Sequence, residues 1–313
     1  MSNFCVAAAI LGLNMCENQS PISVVEQSFI THMAEQGLSY ATKEEYAFRL
    51  DIFTKKDAEL KAINANPEHT FTVAHNFFST MTADEIKRWE GDKTEAHTIA
   101  PTILPEDNLL GDTDWRSHMN PIKNQGSCGS CWTFSAIQTI EGHHAIKTGE
   151  KVVMSEQMLV DCVNGNGCNG GSHHTAQTWV QSHGVMKSSD YPYTAKYSGH
   201  CLHSSGPYKV TQFHAVTASS VTQMKAALGH GPISVSVGTG TPFHHYSGGI
   251  LNDKSCPTST SHAIGAVGYG SNYWIVRNSW GTSWGEHGYG RIAIVEGVGI
   301  CAVQSKPDWS DTN

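Results

Sequence analysis

Basic residues are scarce in this chain. Its 313 residues hold 20 Lys and Arg against 28 Asp and Glu, a formal net charge of −8, with no basic run of binding length. A nucleic acid is gripped by clustered positive charge, so nucleic acid is excluded as a partner. Long apolar runs are missing too. The stretch Phe4 to Leu13 is too short to span a bilayer, which takes about 20 residues, and no other run approaches that length. It matches the core of a secretory signal instead, although no Lys or Arg precedes it, and residues 1–16 are read as a signal peptide. The expected place is the secretory pathway, ending in a lysosome or vacuole or outside the cell, with no membrane partner. There is no internal repeat and no low-complexity tract, which excludes solenoids and fibres. The 39% hydrophobic share and unbiased composition say globular.

Cysteine and glycine are also unevenly absent. Between Glu17 and Asn108 there is no cysteine, and the glycines are Gly37 and Gly91. This part reads as helical: Thr42 and Glu45 have capping-box spacing, Glu45 and Arg49 are placed for an i,i+4 pair, and Tyr46, Leu50, Phe53 and Leu60 share a face. Polar residues with Pro101 and Pro105 then mark residues 91–108 as an exposed, cleavable linker. From Leu109 the texture changes, and glycine, tryptophan and cysteine become frequent. Cys131 to Gly142 is predicted helical with Trp132, Ala136 and Ile140 on one face. Residues 233–237, 273–276 and 292–295 are predicted strands. A helical half followed by a β-rich half implies an α+β fold with two lobes.

Nine cysteines are present, two of them, Cys5 and Cys16, in or beside the leader. Seven remain, so six can pair and one is left over, which in a secretory protein flags a reactive thiol. The informative string is Gln125-Gly126-Ser127-Cys128-Gly129-Ser130-Cys131-Trp132. A cysteine that opens a helix feels the positive end of the dipole and unpaired N–H groups, both of which favour thiolate. Attack on a carbonyl also needs an acid–base partner and donors for the oxyanion. The Gln125 side chain and the Cys131 backbone N–H can be those donors. By itself a Cys-x-x-Cys is also compatible with a disulfide, a redox pair or half a zinc site. Cys162 and Cys168 lack the spacing to complete a zinc site, and no metal or cofactor is implied.

The string resembles the catalytic-cysteine signature of the papain-like cysteine proteases, which expects a histidine and an asparagine roughly 130–150 residues downstream. His262, in Ser261-His262-Ala263-Ile264-Gly265, lies 131 residues after Cys131, and Asn278, in Asn278-Ser279-Trp280-Gly281, lies 147 after it. The resemblance implies a two-lobed α+β endopeptidase, helical on one side and β-barrel-like on the other, with a thioester on Cys131. His262 becomes its acid–base partner, Asn278 the residue that orients the imidazole, Gln125 the oxyanion donor and Trp280 a shield over the His–Asn bond. It also implies the disulfides Cys128–Cys168, Cys162–Cys201 and Cys256–Cys301. Gly170 and Gly171 become the wall that pairs with substrate backbone. Ser172, His173, Ser236, Thr260, Ala263 and Lys306 line the main specificity pocket, an unusually polar set that suits an acidic or hydroxylated side chain.

Residues 17–108 resemble the family's inhibitory propeptide, and 109–313 its mature domain. The propeptide helix motif appears as Glu45, Arg49, Phe53, Lys56, Leu60 and Asn64, with Lys56 in place of an asparagine. A second motif reads Ala74, Asn76, Phe78 and Thr80, where Thr80 replaces an Asp, so release depends on other groups, His69 and His75 among the candidates. Expected partners are polypeptide substrates, the chain's own propeptide as inhibitor and cystatin-like protein inhibitors, with the protein a monomer. Two rivals use the same scaffold: a silent binding protein, disfavoured by the retained Cys131, and a peptide ligase that passes the thioester to an amine.

Overall fold

Capping residues punctuate the N-terminal part of the chain. The computed structural model describes residues 22–105, 111–163, 165 and 167–313. The expected leader and the expected boundary at 108/109 lie outside the described residues. Ser23 caps α1 (Val24–Gln36), and Gly37 ends it in the left-handed region at φ 63°. Thr42 caps α2 (Lys43–Asn64) by accepting from the Glu45 N–H at 3.1 Å. The Glu45 carboxylate takes the Arg49 Nε–H at 2.6 Å, the i,i+4 pair that the spacing predicts. Of the predicted apolar face, Phe53 and Leu60 are buried and Tyr46 and Leu50 half-buried. Phe29 of α1 packs on Tyr46 and Phe53 with ring centroids 5.2 and 5.4 Å away. A short strand, β1 (Phe71–Val73), follows, and then α3 (Ala83–Lys87), where Thr82 and Glu85 form the complete reciprocal cap.

The second part runs β2 (Thr113–Asp114), α4 (Cys131–Thr148), α5 (Glu156–Cys162), α6 (His173–His183), β3 (Val210–Ala215), α7 (Val221–His230), β4 (Ile233–Val237), α8 (Thr241–His244), β5 (Tyr246–Leu251), β6 (His262–Tyr269), β7 (Tyr273–Arg277), β8 (Tyr289–Ala293) and β9 (Asp308–Thr312). Two of the predicted strands coincide with β4 and β7; the third falls earlier than expected, at β8. The strands pair in the order β1-β5-β8-β7-β6-β4-β9-β3, with β2 on β6, so the sheet is an open path rather than a closed barrel. The architecture is α+β, as expected. Among the described residues no helix is long and apolar enough to cross a membrane.

Helix α4 departs from its expected amphipathic pattern. Every residue from Cys131 to Ala145 is buried, beyond the single face of Trp132, Ala136 and Ile140. Strands β4, β6 and β9 pack on it from one side, and α5 and α6 from the other, so no side is left for water. Ser135 Oγ donates to the Ile264 carbonyl of β6 at 2.7 Å, which fixes the helix along that strand. His262 begins β6, Asn278 follows the end of β7, and these strands are antiparallel neighbours. Both residues therefore lie at the sheet end that meets the N-terminus of α4.

Candidate active site

Cys131 is the first residue of α4, is fully buried and is the free cysteine among the described residues. Backbone N–H groups of Ala263, Gly91 and Trp132 converge on its sulfur, which places the thiol beside His262, the neighbour of Ala263. His262 Nε2 lies 2.8 Å from Asn278 Oδ1. The amide oxygen can only accept, so Nε2 carries the hydrogen and Nδ1 keeps the lone pair. That Nδ1 is buried and has no other hydrogen-bond partner, the state needed to take a thiol proton. The Trp280 ring stacks on His262 at 4.3 Å and 27°. Trp284 is packing: it is buried, and its Nε1 donates to the Phe243 carbonyl at 3.0 Å.

Gln125 is fully buried, with its side-chain oxygen held by Ser279 Oγ at 2.7 Å. That hold turns the amide nitrogen outward, where it donates to the carbonyls of Cys128 and Trp89, both at 2.9 Å. Trp89 belongs to the N-terminal segment. Its peptide carbonyl occupies the Gln125 amide nitrogen.

The expected exposed linker 91–108 is corrected at its start. Residues 91–94 lie in the cleft, and Asp92 and Thr94 are buried. Gly171 N–H donates to the Gly91 carbonyl at 2.9 Å, and Lys93 N–H donates to the Gly171 carbonyl at 2.8 Å. Gly91 and Asp92 N–H groups both reach the Ser261 carbonyl at 3.0 Å. Main-chain pairing needs no apolar side chain, which is why polar composition misleads here. The expected wall is thus seen pairing with a peptide at Gly171. A Cβ on Gly170 would lie 2.7 Å from the Gly91 carbonyl oxygen, so that close approach requires glycine. Further along, Leu104 is buried and exchanges two hydrogen bonds with the Gln223 side chain.

The polar pocket assembles differently from its expectation. His173 is fully buried, with Nδ1 2.8 Å from Asp308 Oδ2 and Nε2 3.2 Å from Ser236 Oγ. Burial alone would lower its pKa, but the Asp308 charge outweighs it and the pKa is raised. His173 is therefore a charge already paired within the protein. Ser236 and Ala263 face each other across β4 and β6, and Ser172 caps α6. Lys306 is turned into the cleft, with Nζ on the carbonyl of Thr94 and 2.7 Å from Thr260 Oγ1. It has no ion-pair partner among the described residues. Asp308, Asp92 and Thr94 belong to no motif, and the sequence held no signal for them. The three disulfides pair as the resemblance implied.

The profile described as Papain family cysteine protease matches residues 110–309, and that described as Cathepsin propeptide inhibitor domain (I29) matches residues 29–86. Fruit bromelain of Ananas comosus is 34% identical over 305 residues, covering 92% of this chain and 86% of the relative. Digestive procathepsin L 3 of the Tenebrio molitor larval midgut superposes with a TM-score of 0.82 at 30% identity, over 92% of this chain and 99% of that one. The bromelain protease of Ananas comosus, solved in complex with the E64 inhibitor, superposes with a TM-score of 0.61 at 36% identity, over 64% of this chain and 98% of that one.

Proposed function

Since this chain belongs to the papain family of cysteine proteases and carries the family's inhibitory propeptide as a self-inhibited zymogen, we propose that Cys131, His262, Asn278 and Gln125 carry its catalysis and that it cuts within polypeptides. The Cys131 thiolate adds to a peptide carbonyl, and the oxyanion that forms takes hydrogen bonds from Gln125 Nε2 and the Cys131 N–H. His262 Nδ1 then gives its proton to the leaving amine, the C–N bond breaks and a thioester remains. Water, deprotonated by the same nitrogen, attacks the thioester, releasing the acid and restoring the thiol. Asn278 holds the imidazole in the tautomer that this shuttle requires.

What carries the reading is the Trp89 carbonyl on Gln125 Nε2 with the Gly91 backbone beside the neighbouring thiol: a peptide already lies at the reacting atoms. The same segment enters and leaves the cleft without a chain end, which supports internal cleavage over trimming from a terminus. Three disulfides support residence in an oxidising compartment, lysosomal, vacuolar or extracellular. Residues 17–108 are the proposed inhibitor and 109–313 the proposed mature enzyme. Among polypeptide substrates, Lys306 favours an acidic side chain two residues before the scissile bond, because docking withdraws from water a cation that, among the described residues, keeps Thr260 as its hydrogen-bond partner once the pro-segment is gone.

The test is labelling of the mature enzyme with an epoxysuccinyl inhibitor, followed by mass mapping, beside the Cys131→Ala variant. The label should sit on Cys131, and the variant should lose activity by on the order of 10⁶. A label elsewhere, or a variant retaining about a thousandth of the rate, overturns the assignment.

A further inference from the structure

Beyond the cleft, the stretch of pro-segment that leaves it crosses a second cluster of chemically active side chains. His97 of the pro-segment stacks on His174 of α6 with ring centroids 3.8 Å apart. His174 Nε2 lies 2.7 Å from Oδ2 of Asp308, the first residue of β9. One donor atom from each of the three can be chosen so that all lie within 4.8 Å of one another. We propose that His97, His174 and Asp308 bind one divalent transition-metal ion of the zinc class, and that the ion ties the pro-segment to the peptidase body.

The donor set fits such an ion. Two imidazoles and a carboxylate suit zinc, cobalt or nickel, whereas calcium and magnesium prefer oxygen alone. Asp308 is fully buried. Its Oδ2 lies 2.8 Å from His173 Nδ1 and 2.7 Å from His174 Nε2. His174 Nε2 and Asp308 Oδ2 are buried and close, yet neither makes an aligned hydrogen bond. An ion would take the place of the His174–Asp308 contact, while His173 keeps its hold on the carboxylate.

The outer contacts also suit ligation. The second Asp308 oxygen accepts from Gln177 Nε2, and His173 Nδ1 braces the carboxylate. His97 Nε2 lies 3.1 Å from the Pro307 carbonyl, which can only accept, so Nε2 holds the hydrogen and Nδ1 the free lone pair. A ligating histidine commonly gives its other N–H to a carbonyl in this way. Stacked rings do not aim at a common point, so the His97 ring must turn out of the stack to coordinate. An adjoining cavity of about 360 Å³, lined by Lys93, His97, His174 and Phe213 among others, supplies the room and the route for the ion.

One ligand sits on the pro-segment and two on the body. The ion therefore binds the docked state more tightly than the separated body, which keeps two ligands, so metal supply tunes the latency of the zymogen. The site does not depend on the assignment of the catalytic residues, and its test can be run without them.

The full-length Cys131→Ala chain neither processes itself nor offers a competing thiolate. It is titrated with Co²⁺, read by visible absorption, and with Zn²⁺, read by calorimetry. The same titrations are run on Cys131→Ala/His97→Gln and Cys131→Ala/His174→Gln. We expect one equivalent of cobalt with the absorption of a four-coordinate site, displaced by zinc, and affinity at least tenfold weaker in both double variants. Zinc should raise the unfolding midpoint of the first chain and leave that of the His97→Gln chain unmoved. Because 18 histidines bind ions weakly anywhere on a surface, the criterion is the difference between variants. No four-coordinate absorption, or affinity unchanged by His97→Gln, overturns the site. Weakening by His174→Gln alone places the ion on the body and overturns the tie.

Discussion

Burial pushes the Cys131 thiol up and the His262 imidazole down to about 4 while the pro-segment covers them. Both shifts favour the uncharged forms, so the docked segment removes the thiolate–imidazolium pair as well as the space for substrate. When Trp89 to Thr94 leave, water returns, desolvation falls, and the charged pair becomes accessible. Asn278 enters at the next step, because it fixes which imidazole nitrogen faces the thiol. Asn278→Ala should therefore lower kcat by less than the loss of Cys131, by about 10²–10⁴, with KM nearly unchanged, since the residue moves no proton itself. Steady-state kinetics on the mature variant check this, and a loss as large as that of Cys131→Ala would assign Asn278 a chemical role. At the pocket, Lys306→Met should move the preference from acidic side chains toward Leu by at least tenfold, about 1.4 kcal/mol. A fluorogenic library varied at that substrate position reads it, and an unchanged ranking of Glu against Leu discounts Lys306 as selector.

At the scale of elements, the strand of pro-segment in the cleft is fitted to its track by one glycine. A Cβ on Gly91 would lie 1.9 Å from the carbonyl oxygen of Gly129, which is backbone and cannot step aside. Gly91→Ala should weaken inhibition in trans by residues 17–108 roughly 5- to 150-fold, the range of about 1–3 kcal/mol for overpacking. An inhibition constant within twofold of the parent would mean that the strand is not needed for docking. Much of the framework was legible because local rules acted alone. The Thr42 cap and the Glu45–Arg49 pair need only helical spacing, and Phe53 and Leu60 needed only periodicity. The proposed triad could be picked out because Cys131, His262 and Asn278 each sit in a distinctive string. The burial of α4 on all sides was not, because it arises from β9, more than a hundred residues away. Asp308 was invisible for the same reason: an acid in Pro307-Asp308-Trp309 has no motif, and its partners come from α6. Residues 91–94 misled because backbone hydrogen bonds leave no mark in side-chain polarity.

Across the whole molecule, acid acts on the docked pro-segment through several histidines. Burial lowers His32 to about 4, with His75 nearby adding to the shift, and lowers His245, beside the Ala74 carbonyl, to about 3. Burial lowers His75 as well, against the pull of Asp57. Released or unfolded, each takes a proton near pH 6.5, so the docked state binds fewer protons between the two values. Its stability is therefore fully present above pH 6.5 and is lost as pH falls toward 4. The Arg49–Glu85 pair acts in the same sense at lower pH: the guanidinium hydrogen bonds hold Glu85 at about 2, so its contribution is lost only as pH falls from about 4.5 toward 2. Of the two histidines expected from sequence, the half-buried His75 belongs to this set. Inhibition by residues 17–108 should weaken by up to about tenfold per pH unit for each such histidine between pH 6.5 and 4, and His245→Gln should flatten the slope by about one decade per unit. Inhibition constants across that range decide it; identical slopes remove His245 from the trigger.

Strand β1 belongs to the pro-segment and forms the outer rail of the sheet, pairing antiparallel with β5. The Thr70 carbonyl takes the Ile250 N–H at 2.8 Å, and Ala74 N–H reaches the His245 carbonyl at 2.9 Å. Maturation strips that rail away and leaves β5 as a bare margin, with Gly248 and Gly249 giving it no side-chain shield. Activation should thus change colloidal behaviour along with catalysis: the precursor is expected to stay dispersed and the mature enzyme to self-associate. Light scattering from concentrated mature protein, its cleft sealed with a covalent inhibitor, should grow with time while the precursor at equal concentration stays clear. Equal and constant scattering would show the margin to be harmless. A cell that stockpiles the precursor keeps a sticky edge wrapped until the moment of use, and after that moment the enzyme's working life is set by dilution.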